Sequence, residues 1–293
     1  MPHKSFEIDS LINDLNKNGF SILRGLIDTE EADEYINLLE SSKNANSNNI
    51  SGGFASKGSF YLSNAIALSD KLLKLVTSKQ ILEISKKYLK SDPYLKCHRL
   101  YKTTGKISSF PWHTDNKDRF GDTDKSNGLV FIMYLNKIQR GGLEVIPKGY
   151  YNGNYSLPDN GIIKKLLSEN GTFKFTGSPG DVIICNQALI HRAAQDLFAG
   201  KNYSLWFQIT NNNSVREQLL LKNHQIPLMN SEEYNFLNIG IKSDDFSQPL
   251  TNEKQISTRY AFNLLIKSIN YNLENLFRSS LRQFKFLIKN INL

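Results

Sequence analysis

The chain of 293 residues is 40% hydrophobic and 22% charged, a composition that excludes a largely disordered protein and indicates a substantial core. Its two cysteines, Cys97 and Cys185, are too few for the disulfide framework of a small secreted domain. No stretch approaches the roughly 20 apolar residues of a membrane span, and the first residues lack the apolar core of a signal peptide. We therefore expect a cytoplasmic protein with reduced thiols.

The net charge of +8 is concentrated near the end of the chain. From Asn252 onwards, seven Lys or Arg residues stand against Glu253 and Glu274, a difference of +5. Because the remaining chain is nearly balanced, we expect no nucleic-acid-binding groove. Apolar residues at helical spacing predict that this basic tail is helical from about residue 258. Packing on the core or on a second subunit is the simplest interpretation of the tail, and peripheral contact with a membrane surface is the alternative.

Helical periodicity dominates the first part of the chain. Asp28-x-x-Glu31 resembles a capping box, and the apolar residues that follow it lie along one helical face, which predicts a helix over 28–41. Before it, a shorter helix is predicted to end at Gly19, because a residue without Cβ permits a left-handed cap. Residues 19–26 then read as a strand.

Two further stretches precede the β-rich region. Residues 41–60 are rich in Ser, Asn and Gly and poor in large apolar groups, which predicts an exposed loop that could act as a lid. Residues 69–90 carry apolar groups at helical spacing and predict one or two helices, with Thr77-x-x-Gln80 as a second cap.

From Tyr94 to Thr210, short apolar or alternating runs are separated by clusters of Gly, Pro, Asn and Asp, a pattern typical of strands and turns. A series without helical crossovers favours antiparallel sheets closed into a barrel or packed as a jelly roll. The predicted fold class is therefore α+β, with a main domain over 1–215 and a C-terminal extension over 216–293. The predicted strands are 94–102, 128–136, 143–147, 172–176, 181–186 and 203–210.

The most informative segment is Trp112-His113-Thr114-Asp115. In an extended strand, positions i and i+2 project from the same face, so His113 and Asp115 can bind one ion. A third ligand, His191, follows much later in the chain, after a Gly-Asp turn and an apolar run. Two imidazoles and one carboxylate leave three positions of an octahedron open, which is the arrangement that activates oxygen at ferrous iron. The sequence thus predicts an Fe(II) site at His113, Asp115 and His191.

Other chemistries have weaker support in the sequence. Neither cysteine has a His or Cys neighbour at catalytic or zinc spacing, so both are predicted to be buried packing residues. Hydrolysis by a Ser/His/Asp triad would lack its Gly-x-Ser-x-Gly elbow. His98 and Trp112 are interpreted as structural residues, and Trp112 is predicted to face away from His113 because neighbours in a strand alternate.

Four stretches of the chain resemble a known family. In order, they are NGFSILRGLID, LYKTTGKISSFPWHTD, GGLEVIPKGY and GDVIICNQALIHRAA, and they span roughly residues 15–210. With them the chain resembles the phytanoyl-CoA dioxygenase family of Fe(II)- and 2-oxoglutarate-dependent oxygenases. The resemblance implies a cupin-like double-stranded β-helix and iron at the three ligands named above. It also implies that 2-oxoglutarate and O2 are used to hydroxylate a small or lipid-like organic substrate.

One position departs from the family pattern. The family usually places an Arg about eleven residues beyond the distal His, often as Arg-x-Ser, where it pairs with the far carboxylate of 2-oxoglutarate. This chain has Asn202 there, with Ser204 retained and Lys201 just before. Lys201 is the first predicted substitute, although a shift of one residue in a strand reverses the direction of the side chain unless a bulge intervenes.

Arg99, Lys102 and Arg192 are the other predicted counter-ions, and the first two lie on the strand that leads to the His-x-Asp segment. If none of these cations reaches the pocket, the alternative is a metal-binding module of the same fold that does not turn over 2-oxoglutarate. An alternative of another class is an adaptor whose basic tail binds a membrane surface or nucleic acid. The leading hypothesis has a small-molecule substrate as the only partner.

Overall fold

A computed structural model describes the part of the chain that carries the predicted site. The predicted helical tail from about residue 258 lies outside the described residues, as does most of the predicted loop over 41–60. Within the described ranges, no helix is both long enough and apolar enough to span a bilayer. These ranges are 8–42, 53–56, 59–63, 65–104, 111–116, 127–153, 157–194, 200–212, 221, 224–237 and 239.

The N-terminal region contains helix α1 (Ile8–Asn18), strand β1 (Phe20–Leu23) and helix α2 (Thr29–Ser42), which confirms three predicted elements. Gly19 ends α1 with a φ of 85°, a left-handed conformation that glycine adopts without strain. The Asp28 carboxylate accepts a hydrogen bond of 2.9 Å from the backbone N–H of Glu31, as the capping box predicts.

The stretch predicted as one or two helices forms α3 (Asp70–Val76) and α4 (Lys79–Leu89). The predicted cap at Thr77 is wrong. Thr77 ends α3, where its hydroxyl donates to the carbonyl of Leu73 at 3.0 Å. Ser78 precedes α4 without a capping hydrogen bond from its side chain. The hydroxyl of Thr77 is therefore used by the preceding helix instead of the following one.

Part of the predicted loop is strand. Strands β2 (Gly53–Ser56) and β3 (Ser59–Ser63) pair antiparallel, and β3 pairs in turn with the long strand β4 (Tyr94–Thr104). For these residues the loop prediction is wrong. Composition misleads here because β3 also gains hydrogen bonds from β4, a strand distant in sequence, on which the β2–β3 pair is added.

The β core consists of two antiparallel sheets. Besides β1 to β4, its strands are β5 (Gly128–Tyr134), β6 (Leu143–Tyr150), β7 (Phe173–Lys174), β8 (Val182–Asn186), β9 (Leu189–Ala193) and β10 (Lys201–Thr210). The larger sheet has seven strands in the order β1-β8-β5-β10-β4-β3-β2, and the smaller has three in the order β7-β6-β9. Helix α5 (Asn160–Asn170) and strand β9 are elements that the sequence pattern did not predict.

The large sheet buries apolar groups on both faces. Its outer face packs with the helices and includes Leu100, Phe131 and Leu205. Its inner face, with Val130 and Cys185 among its residues, packs against the small sheet. Cys97 and Cys185 are both buried and are not joined in a disulfide, as predicted.

Beyond the β core, the described residues include helix α6 (Ser231–Leu237). Phe236 and Leu237 of this helix join the same apolar cluster as the N-terminal helices. The division of the chain near residue 215 stays a prediction.

Candidate metal centre

The two segments that carry the predicted ligands lie side by side. The backbone N–H of His113 donates to the carbonyl of His191 at 2.9 Å, and the N–H of His191 returns a bond of 2.9 Å to His113. The N–H of Asp115 donates to the carbonyl of Gln187 at 2.8 Å. The His-x-Asp segment thus pairs with β9 and with the turn before it. These backbone hydrogen bonds set the positions of the three predicted ligands relative to one another.

The three side chains converge on one point. One ligand atom from each of His113, Asp115 and His191 lies within 4.8 Å of the other two. The Nε2 atom of His191 is 3.4 Å from one oxygen of Asp115, and the Nε2 atom of His113 is 3.8 Å from the other oxygen. Metal–ligand bonds of about 2.1 Å at right angles place ligand atoms about 3 Å apart, so these separations fit a single ion.

Each imidazole is oriented by its second nitrogen. The Nδ1 atom of His113 is 2.8 Å from the carbonyl of Pro111, and the Nδ1 atom of His191 is 2.9 Å from the carbonyl of Leu189. When Nδ1–H donates to a carbonyl, Nε2 carries the lone pair. Both rings are therefore held in the tautomer that directs Nε2 at Asp115 and at the metal position.

The electrostatics of the three groups suit a metal. Burial and the neighbouring His191 lower the pKa of His113 to about 4, so its imidazole is neutral at pH 7. Burial alone would raise the pKa of Asp115, but the two histidines outweigh it and lower that pKa to about 2. Burial lowers the pKa of His191, whereas the adjacent Asp115 carboxylate raises it more. The metal position thus faces one carboxylate and two imidazoles, the donor set that Fe(II) accepts.

Two of the predicted counter-ions lie on the outer face of the large sheet. Lys102 donates to Glu40 of α2 at 2.6 Å, and its ammonium lies 6.0 Å from the centre of the Tyr203 ring. Lys201 is exposed and adjoins the same carboxylate, because its charge helps to lower the pKa of Glu40, after hydrogen bonds from Lys102 and Tyr203. Both cations therefore point towards α2.

Arg192 lies on the outer face of the small sheet, because it follows the inward-facing His191 in β9. Its Nε donates to Glu144 at 2.7 Å, and its guanidinium lies 4.1 Å from the centre of the Trp112 ring. Trp112 packs against a small apolar cluster that includes Ile146 of β6 and Ile163 of α5. The interpretation of Trp112 as a structural residue is confirmed.

Arg99 and Ser204 belong to the inner face of the large sheet, on the side opposite to Lys102 and Lys201. The register pairs Arg99 with Trp206, and Ser204 with Tyr101, on the inner face of the large sheet. Asn202, at the position of the family's Arg, also belongs to this face, but its amide donates to the carbonyl of Arg140 at 2.9 Å. The structure thus brings Arg99 and Ser204 to the same side of the sheet as the ligands and directs the other three cations elsewhere.

Some residues around the centre were missed by the sequence reasoning. Asn116 is buried directly after Asp115, and its amide donates to the carbonyl of Tyr151 at 2.9 Å. Tyr101 lies near enough to Asp115 that the carboxylate adds to the rise in its pKa, which is caused mainly by burial. The sequence offered one signal for Asn116, because it is a polar residue directly beside a predicted ligand. Tyr101 could be found only from the pairing register of β4, which the sequence does not give.

A helix-flanked pair of antiparallel sheets that carries two histidines and one aspartate at a single point has the features of a non-haem iron oxygenase with a cupin-like fold. Sequence comparison makes this more specific, since residues 15–197 match the family Phytanoyl-CoA dioxygenase (PhyH). The chain belongs to the phytanoyl-CoA dioxygenase family. Among curated proteins, none is significantly similar to it in sequence.

Solved structures share the fold at low sequence identity. EctD from S. alaskensis with bound Fe superposes with a TM-score of 0.58 and 18% identity, covering 71% of this chain and 78% of that chain. The epimerase SnoN, in complex with Fe3+, alpha ketoglutarate and nogalamycin RO, has a TM-score of 0.57 and 16% identity, covering 72% and 86%. AviO1 from Streptomyces viridochromogenes has a TM-score of 0.50 and 14% identity, covering 70% and 95%.

Proposed function

We propose that the chain is a cytoplasmic Fe(II)- and 2-oxoglutarate-dependent dioxygenase that hydroxylates a small or lipid-like organic substrate. The observation that carries the proposal is the convergence of His113, Asp115 and His191 within 4.8 Å, in a chain of the phytanoyl-CoA dioxygenase family. We further expect the two sheets to wind as a double-stranded β-helix. The balanced reaction converts a C–H bond, 2-oxoglutarate and O2 into C–OH, succinate and CO2.

The chemistry that iron supplies in such a site is the binding of 2-oxoglutarate and O2 at its three open positions. The chain supplies the geometry. The carbonyls of Pro111 and Leu189 orient the two imidazoles, and the carbonyl of Gln187 anchors the backbone of Asp115. Because these supports are backbone groups, the ligand positions are preorganised before any ion binds.

The aromatic residues on the inner face of the large sheet support the proposal that the substrate is an organic molecule. The rings of Tyr61 and Tyr101 lie 5.2 Å apart, and Trp206 meets Tyr101 edge-on at 6.2 Å. All three side chains are only half-buried, although their strands belong to the sheet interior. Half-buried aromatic groups around a polar centre are typical of pockets that bind organic molecules.

The proposal is tested first without a substrate. Anaerobic titration of the metal-free protein with Fe(II), followed by 2-oxoglutarate, should give one tight iron site and a charge-transfer absorption band that needs both ligands. On admission of air, the complex should release succinate and CO2 in equal amounts. A protein that binds no Fe(II), or binds it without any spectral response to 2-oxoglutarate, would overturn the proposal.

The type of reaction needs a separate measurement, since one structural neighbour is an epimerase. With a substrate found by screening, turnover under 18O2 should place one labelled oxygen atom in the product and one in succinate. Inversion of a stereocentre without incorporation of the label would contradict hydroxylation. The chain would then still use Fe(II) and 2-oxoglutarate, but as an epimerase.

Asn202 favours one alternative function, a metal-binding module that does not turn over 2-oxoglutarate. Its side chain is a neutral amide that donates to the carbonyl of Arg140, so this position supplies no positive charge. The alternative predicts Fe(II) binding without succinate release under any condition. Succinate release by the reduced, iron-loaded protein therefore separates the two functions.

A further inference from the structure

The geometry points to Arg99 as the counter-ion of the far carboxylate of 2-oxoglutarate, in place of the Arg that the chain lacks at position 202. This inference rests on the proposed function, because it assigns one end of the same cosubstrate. It changes the strand that supplies the charge from β10 to β4.

The alternation of side chains along β4 places Arg99 on the inner face of the large sheet. In β4, His98 and Leu100 belong to the outer face, where Leu100 joins the apolar core formed with the helices and the Nε2 atom of His98 accepts from the N–H of Ile66 at 3.3 Å. Arg99, between them, is directed to the other side and is only 7% exposed. Its pairing partner Trp206 packs against the apolar cluster between the two sheets, and β9 of the small sheet carries His191.

The pairing register of β4 and β10 shows which groups of β10 the Arg99 side chain can approach. Arg99 pairs directly with Trp206 of β10, so Ser204 is its diagonal neighbour on the same face. Diagonal neighbours of an antiparallel pair lie about 7–8 Å apart, within the reach of a long side chain. A carboxylate that accepts a hydrogen bond from Ser204 is therefore within reach of Arg99. Asn202 lies one inner-facing position further along β10, so the cosubstrate carboxylate would lie closer to Trp206 than in relatives with Arg at that position.

The surroundings of Arg99 hold its guanidinium in place. One nitrogen, Nη1, donates to the carbonyl of His98 at 2.7 Å, and the guanidinium lies over the ring of Tyr61 at 5.4 Å. Ser204, Tyr101 and Trp206 around it are half-buried, whereas Leu100, Leu205 and Phe207 on the other face are fully buried. The inner face beside Arg99 is therefore less tightly packed than the outer face of the same strands.

Lys96 is another buried cation of β4, and it fits this role less well. It lies at the irregularity of the β4–β10 pairing near Gln208, further from Ser204 than Arg99 does. Its charge acts on Asp115, whose pKa it helps to lower after the larger effects of burial and the two histidines. Of these two cations, Arg99 is the one that combines a planar fork for a carboxylate with a position next to Ser204.

The test compares two ligands that differ only at the far end. Anaerobic Fe(II)-loaded protein is titrated with 2-oxoglutarate and with 2-oxopentanoate, which has a methyl group in place of the far carboxylate. Binding is measured by the charge-transfer band and by calorimetry. For the unaltered protein we expect a strong preference for 2-oxoglutarate. Arg99→Gln should weaken 2-oxoglutarate binding by about 10–100-fold and leave 2-oxopentanoate unchanged, so that the preference collapses.

Arg99→Lys keeps the charge without the planar fork, and it covers the case in which Arg99→Gln does not fold. It should weaken 2-oxoglutarate binding about 10-fold or less and again leave 2-oxopentanoate unchanged. Lys102→Gln and Arg192→Gln are matched controls, because both cations point away from the inner face. Neither control should change the ratio of the two affinities.

The possible outcomes separate this inference from the proposed function. If the unaltered protein binds neither Fe(II) nor 2-oxoglutarate, the proposed function itself fails. If it binds both, and Arg99→Gln and Arg99→Lys retain the full preference for 2-oxoglutarate, the assignment of Arg99 is overturned while the function stands. Equal weakening of both ligands would also overturn it, because Arg99 would then act on the site as a whole. Collapse of the preference in Lys102→Gln or in Lys96→Gln would assign the charge to that lysine.

Discussion

His113 and His191 exchange both of their backbone hydrogen bonds, N–H to O at 2.9 Å in each direction. Their imidazole rings lie side by side, tilted by 56°, with ring centres 4.3 Å apart. The pairing of two backbones, independent of side-chain chemistry, therefore sets the spacing of two ligands from distant parts of the chain. Loss of one imidazole should leave the pairing, and with it the fold, in place.

Replacement of His113, Asp115 or His191 by Ala should each raise the dissociation constant for Fe(II) more than about 100-fold, since loss of an outer-sphere partner alone typically costs 10–100-fold. Far-UV circular dichroism should stay close to that of the unaltered protein. Anaerobic Fe(II) titration gives the affinities. His224→Ala is a matched control, because His224 is exposed and lies near Asp70 instead of the centre. Full iron affinity in all three ligand variants would reject the site.

Asp181→Ala should destabilise the fold by about 2 kcal/mol, because it removes a buried carboxylate that accepts three hydrogen bonds. The Asp181 carboxylate accepts from Arg24 at 2.7 Å, from the N–H of Gly25 at 3.0 Å and from the N–H of Ser178 at 2.9 Å, and the residue is 6% exposed. Urea unfolding at pH 7 measures the change.

Arg24→Gln is the comparison variant, because the Arg24 side chain is 54% exposed and its ion pair with Asp181 is accessible to water. We expect it to cost less than about 1 kcal/mol. Equal losses in the two variants would show that the ion pair, and not the two backbone donors, is the main stabilising contact of Asp181.

The metal ligands were predictable because they follow from rules that act over short distances. Alternation in a strand places His113 and Asp115 on one side, and the Gly-Asp turn followed by an apolar run identified the segment that ends at His191. The capping box at Asp28 likewise predicted the start of α2. Each of these signals is contained in fewer than about a dozen residues.

The counter-ion could not be chosen from the sequence, because the choice depends on tertiary partners. Strand parity already indicated that Lys201 and Asn202 point in opposite directions. The engagement of Lys102 by Glu40 depends on a helix some sixty positions earlier in the chain, and no local pattern contains that pairing. Strand β3 was missed for the same reason, since one of its two partner strands is β4, which lies much later in the chain.

His98 should make the protein less stable as the pH falls. Burial and the nearby Arg99 charge lower the pKa of His98 to about 3, against 6.5 for an exposed histidine. Between these values the unfolded chain binds the additional proton, so the free energy of unfolding decreases as the pH drops below about 6.5. At pH 5 the loss from this residue is about 2 kcal/mol relative to pH 8.

The measurement is urea unfolding of the unaltered protein and of His98→Gln at pH 8 and pH 5. The variant should be less stable at pH 8, because the bond to the N–H of Ile66 is altered, yet it should lose about 2 kcal/mol less on acidification. Identical pH dependence in the two proteins would mean that His98 has the same pKa in the folded and unfolded states, which would contradict the shift caused by burial.

Asn116 is predicted to position the metal ligand next to it. Its side chain joins three groups: the hydroxyl of Thr114 donates to its carbonyl oxygen at 2.6 Å, and its amide donates to the carbonyl of Tyr151 at 2.9 Å and to the side chain of Asn152 at 3.2 Å. These bonds connect the segment that contains Asp115 to the residues that follow β6. Asn116→Ala should therefore raise the dissociation constant for Fe(II) by about 10-fold or more, by analogy with other supporting residues of metal sites.

Asn152→Ala is the matched control for Asn116→Ala, because Asn152 is exposed and its removal breaks only the longest of the three bonds. Its iron affinity should stay within about 2-fold of that of the unaltered protein, as expected for an exposed contact. Calorimetric Fe(II) titration and thermal unfolding are measured on both variants. If Asn116→Ala lowers the unfolding temperature and leaves the iron affinity unchanged, Asn116 stabilises the fold without positioning Asp115. A weaker iron site at temperatures where the variant is fully folded supports the positioning role, since the Asp115 carboxylate depends on the segment that Asn116 holds.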